Sequence, residues 1–142
     1  MIKNERQFKI TKNQVRQFEL ILAQLTTEFQ TSGDLKLKMQ IDALETDVSK
    51  LNAEINEFER LKSGAVKVIS ANSFHDLPDV IIKARIARAL TQKDLALKLG
   101  MKEQQIQRYE TNNFASASFS ILAKIVDALD ITIEEKVRLN KT

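Results

Sequence analysis

Cysteine is absent from this 142-residue chain, which removes disulfide frameworks, thiolate catalysis and Cys-based zinc sites. A single histidine leaves no imidazole metal cluster, so neither a metal nor a cofactor is expected. The chain also lacks a Gly-rich phosphate loop and a Ser nucleophile with its base, and these absences together argue against an enzyme. No run approaches the roughly 18 apolar residues a membrane span needs, and MIKNERQFKI has no apolar signal core; the expected location is the cytoplasm. Three glycines and one proline give little punctuation, which predicts a mostly helical chain.

What is present is charge and helical periodicity. Residues 1–62 hold 10 Lys/Arg and 10 Asp/Glu, so the net +3 of the chain lies entirely in residues 63–142. Within Val80–Glu110, seven cations face three acids, an excess of +4. A local excess of this kind suits a polyanion partner, although a solvated charged face gives the same count.

The first helical pattern opens at Thr11, where Thr11-x-x-Gln14 has the form of a capping box, and repeats through Val15, Phe18, Leu22, Leu25 and Phe29. After Thr31-Ser32-Gly33-Asp34, a heptad seam runs through Leu37, Ile41, Leu44, Val48, Leu51, Ile55 and Phe58. A parallel two-stranded coil would set Glu54 against Glu59 of its partner. The Ser-Gly turn more simply makes a coiled-coil-like antiparallel hairpin within one chain. A first helix over 12–30 spans roughly 28 Å and a second over 34–62 roughly 43 Å. The first then runs out near Asn52 and leaves Ile55, Phe58 and Leu61 to be covered by Ile2, Phe8 and Ile10 or by a second chain. Homodimerisation through Ile41, Leu44, Val48, Leu51, Ile55, Phe58 and Leu61 is the expectation drawn from this. Leu35, Leu37, Met39 and Ile41 also alternate with period two, which leaves a short extended start open.

Residues 63–77 read as a linker, with Val66 and Val68 suited to a short extended piece. His75 beside Asp76 reads as structural or solvated rather than as a proton-handling pair. From Pro78 to residue 142, helix signals crowd together. Pro78 suits a first turn; Thr91-Gln92-Lys93-Asp94 is a capping box for a helix ended by Gly100; a third helix spans about Glu103–Thr111. A fourth follows Ser116-Ala117-Ser118 and buries Leu122, Ile125, Val126 and Leu129, and Thr132-x-x-Glu135 caps a short fifth. Five short helices with a tight turn between the second and third describe a helix-turn-helix bundle, and the whole chain is read as all-α.

The segment ARIARALTQKDLALKLGMKEQQIQRYE resembles the Xre/Cro-type helix-turn-helix of phage repressors and bacterial regulators. Thr91-Gln92, Leu95-Ala96, Leu99-Gly100, Ile106 and Tyr109-Glu110 carry the likeness, which covers about residues 78–135. Lys102 stands where the family often has Ser or Thr, and Asn112-Asn113-Phe114 where it often has a Gly-containing loop. Residues 1–62, with RQFKITKNQ near their start, resemble an extension that accompanies some such regulators.

On the third helix, at 100° per residue, Ile106, Tyr109 and Glu110 share the core side while Gln104 and Arg108 point away, flanked by Gln105 and Gln107. Gln can pair bidentately with adenine and Arg with guanine in a major groove, so Lys102, Glu103, Gln104, Gln105, Gln107 and Arg108 are the expected base contacts. Gln92 and Lys93 sit at a helix start, where N–H groups and the dipole favour anions, and the resemblance assigns that Gln to the DNA backbone; Asn112, Asn113 and Ser116 could add neutral donors. The function expected is a sequence-specific regulator, a repressor, binding double-stranded DNA as a homodimer on an inverted repeat. The alternative is an antitoxin that holds a toxin through its hairpin and represses its own promoter.

Overall fold

The computed structural model describes residues 1–141 and is all-helical, with no strand among them. Its order is α1 (Glu5–Ser32), α2 (Leu35–Lys62), a 3₁₀ turn (Phe74–Asp76), α3 (Leu77–Ala87), α4 (Gln92–Leu99), α5 (Glu103–Thr111) and α6 (Phe119–Ala128). The chain divides into two compact units, Met1–Val68 and the part from Ile69 onward. No described helix is long and apolar enough to cross a membrane.

In the first unit, α1 and α2 form the antiparallel hairpin. Gly33 takes φ 61° at the turn, a left-handed conformation that glycine adopts without steric cost, and Asp34 caps α2 through Lys36 N–H. The second helix is helical from Leu35, so the period-two reading of its start does not hold. The first helix begins earlier than expected: Asn4 is its cap, its side chain accepting from Gln7 N–H at 2.9 Å. Thr11 lies inside the helix, and its hydroxyl donates back to Gln7 O rather than capping.

That longer helix changes the inventory of uncovered residues. Ile2 is buried and the Phe8 ring lies 5.1 Å from that of Phe58, so Ile55, Phe58 and Leu61 are 7%, 5% and 4% exposed within their own chain. Ile10 takes no part and is exposed. The expectation that these three residues await a second protomer is corrected accordingly, and Ile41, also buried, leaves the same list. Leu44, Val48 and Leu51 remain only half-buried, as do Leu22, Leu25 and Phe29. Two helices have too few faces to close a seam along its whole length.

In the second unit, Ile81, Ile82, Leu95, Ile106, Ile125 and Leu129 are fully buried and form the core under α3 to α6. Pro78 stands in the first turn of α3, as its missing N–H permits. The linker before it has no strand at Val66 or Val68, and His75 is exposed in the 3₁₀ turn. Among the described residues after Leu129 there is no helix: Thr132 to Lys141 lack regular structure, and the fifth helix expected from Thr132-x-x-Glu135 does not form. A capping pattern satisfies N–H groups but supplies no buried face, and Val137 and Leu139 are 85% and 93% exposed. The end of α6 is closed instead by Arg88, whose Nε donates to Leu129 O at 3.0 Å and whose second guanidinium nitrogen donates to Asp130 O.

Candidate nucleic-acid interface

The pair α4–α5 is built from its caps. Thr91 Oγ1 accepts from Asp94 N–H at 3.0 Å while the Asp94 carboxylate accepts from Thr91 N–H at 2.9 Å, the reciprocal capping box expected. The same Thr91 groups, backbone N–H first and hydroxyl second, hold the Asp94 carboxyl below its usual range. Gly100 ends α4 at φ 66°, and Met101 N–H bonds back to Ala96 O at 2.9 Å, so the chain reverses within Gly100–Lys102. Lys102 takes the cap position of α5 in an extended conformation but contributes no side-chain bond.

Helix α5 divides cleanly by exposure. Ile106 is fully buried, and Tyr109 and Glu110 are 8% and 1% exposed. Gln104, Gln107 and Arg108 are exposed with Glu103 and Lys102, while Gln105 is half-buried. Lys102, Gln104, Gln105 and Arg108 line one shallow hollow with Met101. Glu103 is engaged along the helix by Gln107, whose amide donates to it at 3.3 Å.

The inner face of α5 holds a charge network that sequence reasoning reached only halfway. The 100° geometry puts Glu110 on the core side, but names no partner for it. Arg85 of α3, 2% exposed, grips the carboxylate at two points, Nε to Oε1 at 2.6 Å and Nη2 to Oε2 at 3.0 Å. A third guanidinium nitrogen donates to Leu90 O at 2.9 Å. Gln92 completes the site by donating to Glu110 Oε2 at 2.7 Å. The signal that could have found this was Glu110 itself, because a carboxylate at a core angle demands a cation, and Arg85, between the buried Ala84 and Ile86, supplies it.

This network also revises the expected phosphate contacts. Gln92 is 6% exposed with its amide turned inward, so only its backbone N–H stands at the α4 terminus. Lys93 is exposed beside it. Asn112 and Ser116 are bonded to one another: with the amide nitrogen of Asn112 donating to Tyr109 O at 3.0 Å and Arg108 O at 3.3 Å, its oxygen accepts from Ser116 Oγ at 3.0 Å. The two residues thereby close the last turn of α5. Asn113 and Phe114 both take positive φ, 54° and 59°, where the resemblance implied glycine. Phe114 is held there by burial, stacked on Tyr109 with ring centroids 6.2 Å apart, and by its N–H bond to Tyr109 O at 2.7 Å.

Among the described residues no three His, Cys, Asp or Glu side chains are grouped as a metal site requires. Residues 81–136 match the family model described as helix-turn-helix. No curated protein and no solved structure matches the chain. The matched segment contains the α4–turn–α5 pair, its buried network and α6. It is a helix-turn-helix domain of the Xre/Cro-like kind, the element of a DNA-binding regulator, preceded in this chain by a two-helix extension.

Proposed function

We propose that this chain is a sequence-specific transcriptional repressor that binds an inverted-repeat operator as a homodimer, with α5 of each protomer in a major groove. The observation that carries the reading is the division of α5: every apolar or network residue is inside, while Gln104, Gln107 and Arg108 are presented outward. A face meant only for solubility would use Glu and Lys; amides and guanidinium match the donor and acceptor edges of adenine and guanine. Lys93 and the N–H groups at the start of α4 supply phosphate contacts in this reading. The half-buried seam of the hairpin, Leu44, Val48 and Leu51 with Leu22, Leu25 and Phe29, supplies the dimer contact.

The test is selection of bound sites from random DNA with the full chain, together with its mass in solution. On the selected site, Gln104→Ala and Arg108→Ala should each cost about 1–3 kcal/mol and relax preference at one base position. Lys93→Ala should weaken binding to all sequences alike and lower the salt slope by about 1. Equal losses on selected and scrambled DNA for the two α5 variants would overturn the reading. A chain found monomeric alone but paired with a small co-encoded protein would transfer the hairpin seam to the antitoxin alternative.

A further inference from the structure

The outer side of α1 carries a stripe of cations that the reader helix does not account for. Counted at 100° per residue, Arg6, Lys9, Asn13 and Arg16 lie within about 40° of the direction opposite the inward positions Val15, Phe18, Leu22 and Leu25. All four are exposed. Lys12 flanks the stripe, its ammonium 5.1 Å from the centre of the Phe8 ring. Glu5 is the sole acid in residues 1–18, and it is bonded to Lys62 of α2. Arg6, Lys9 and Arg16 have no ion pair among the described residues. The overall neutrality of residues 1–62 therefore hides a local excess: five cations against one acid in residues 1–16.

Arg6 and Arg16 are separated by about 15 Å along the axis, comparable with the roughly 12 Å width of a major groove. The array thus matches phosphates on the two edges of a groove or along one strand. A membrane surface fits less well. An interfacial helix needs a free apolar face, and here Val15 is buried and Phe18, Leu22 and Leu25 are half-buried in the hairpin, leaving Ile10, Leu20 and Ile21 as the exposed large apolar residues of α1. The acids of α2 in a second copy offer less, since Asp42 is paired with Lys38, Glu54 lies 3.5 Å from the amino terminus and Glu57 is engaged elsewhere, which leaves Glu45, Asp47 and Glu59 of the six.

We infer that Arg6, Lys9, Lys12 and Arg16 form a second, sequence-independent contact to the DNA phosphate backbone, separate from the reading face of α5. The inference rests on the DNA-binding reading of the domain but not on α5 reading any particular sequence. It assigns the hairpin a share in holding the duplex as well as in pairing protomers.

The experiment uses the full chain and the variant Arg6→Gln/Lys9→Gln/Lys12→Gln/Arg16→Gln, measured on scrambled duplex across a salt series. Four lost phosphate contacts should lower the magnitude of the log–log salt slope by about 3.6, so raising salt from about 50 to 200 mM should cost the native chain about 10²-fold more affinity than the variant. Exchanging Lys for Arg and Arg for Lys at the same positions keeps the charge and should keep the slope. Circular dichroism of both variants reports whether the hairpin is intact, and the charge-preserving variant separates charge from folding. An unchanged slope would overturn the inference while leaving the α5 reading standing, because base readout contributes nothing on scrambled DNA. Loss of association with vesicles containing anionic lipid, or a changed solution mass, with the DNA salt slope unaltered, would overturn it in favour of a membrane or a second copy.

Discussion

Removing Arg85 should unfold the C-terminal unit far more readily than removing the pair it belongs to. Glu110 and Arg85 meet at 2.6 and 3.0 Å with both side chains at most 3% exposed. Two unit charges about 4 Å apart attract by about 4 kcal/mol at an effective dielectric of 20. Arg85→Met removes the two-point cation from the buried Glu110 carboxylate while the Gln92 amide stays, and a broken buried pair costs about 3–5 kcal/mol. Set against the 5–15 kcal/mol typical of a whole domain, that loss leaves the unit marginal. Arg85→Met/Glu110→Leu removes both charges and should recover most of the loss, although Gln92 then lacks its acceptor, at about 1–3 kcal/mol. Urea unfolding followed by tyrosine fluorescence is the suitable assay. Tyr109 is the only tyrosine, tryptophan is absent, and the ring is buried against Phe114, so the signal reports this unit alone. If Arg85→Met cost under about 1 kcal/mol, or if the double variant were less stable than Arg85→Met, the network would not be the ionic anchor described.

Ala89 closes α3 at φ 54°, with Leu90 N–H bonded to Arg85 O and Ala89 N–H to Ile86 O; Ala89→Gly should stabilise the unit by about 0.5–1 kcal/mol, read as a thermal midpoint several degrees higher by the same fluorescence. Phe58→Ala should cost about 3–5 kcal/mol in the hairpin, seen as earlier loss of helical circular dichroism while the Tyr109 transition stays in place; coincident shifts of both would show that the two units unfold together. Because the Asp94 carboxyl is held below its ordinary 3.8, its contribution is fully present above that value and disappears as pH falls through the lower folded value. Unfolding midpoints of the native chain should therefore drop between about pH 5 and about pH 3 by more than those of Asp94→Asn; equal drops would assign the acid sensitivity to other carboxylates.

The parts of the fold legible in the sequence were those fixed by local chemistry. The Thr91 capping box and the left-handed turn at Gly100 bound α4 as expected, and the 100° geometry of α5 put Ile106, Tyr109 and Glu110 inside. Local chemistry misled where a motif was satisfied in more than one way. Thr11-x-x-Gln14 has the composition of a cap, yet Asn4 starts the same helix two turns earlier, which sets the Phe8 ring against Phe58, and Ile2 before it is buried. Thr132-x-x-Glu135 has the same composition and no helix behind it, since helix formation in a short segment needs a face to bury. The inward position of Arg85 is not legible in the sequence, for the opposite reason. Charged residues are placed outside by default, and only the position of its partner, 25 residues away, makes an interior arginine favourable.

The grip of Arg85 on Glu110 also acts as an angular index for the helix that faces outward. On its inner side α5 has two buried residues besides Glu110, Ile106 and Tyr109, and their contacts are packing contacts that set no fixed angle about the helix axis. Side-chain ends lie about 5–6 Å from a helix axis, so a roll of about 20° would sweep the tips of Gln104 and Arg108 sideways by about 2 Å. Hydrogen bonds tolerate about 0.5 Å in length, and a two-point bond between guanidinium and carboxylate resists such torsion as a single contact would not. On the proposed reading of α5, the interior ion pair sets the aim of the exterior side chains, and a variant that kept the fold but loosened this contact should still hold DNA while blurring which bases it prefers.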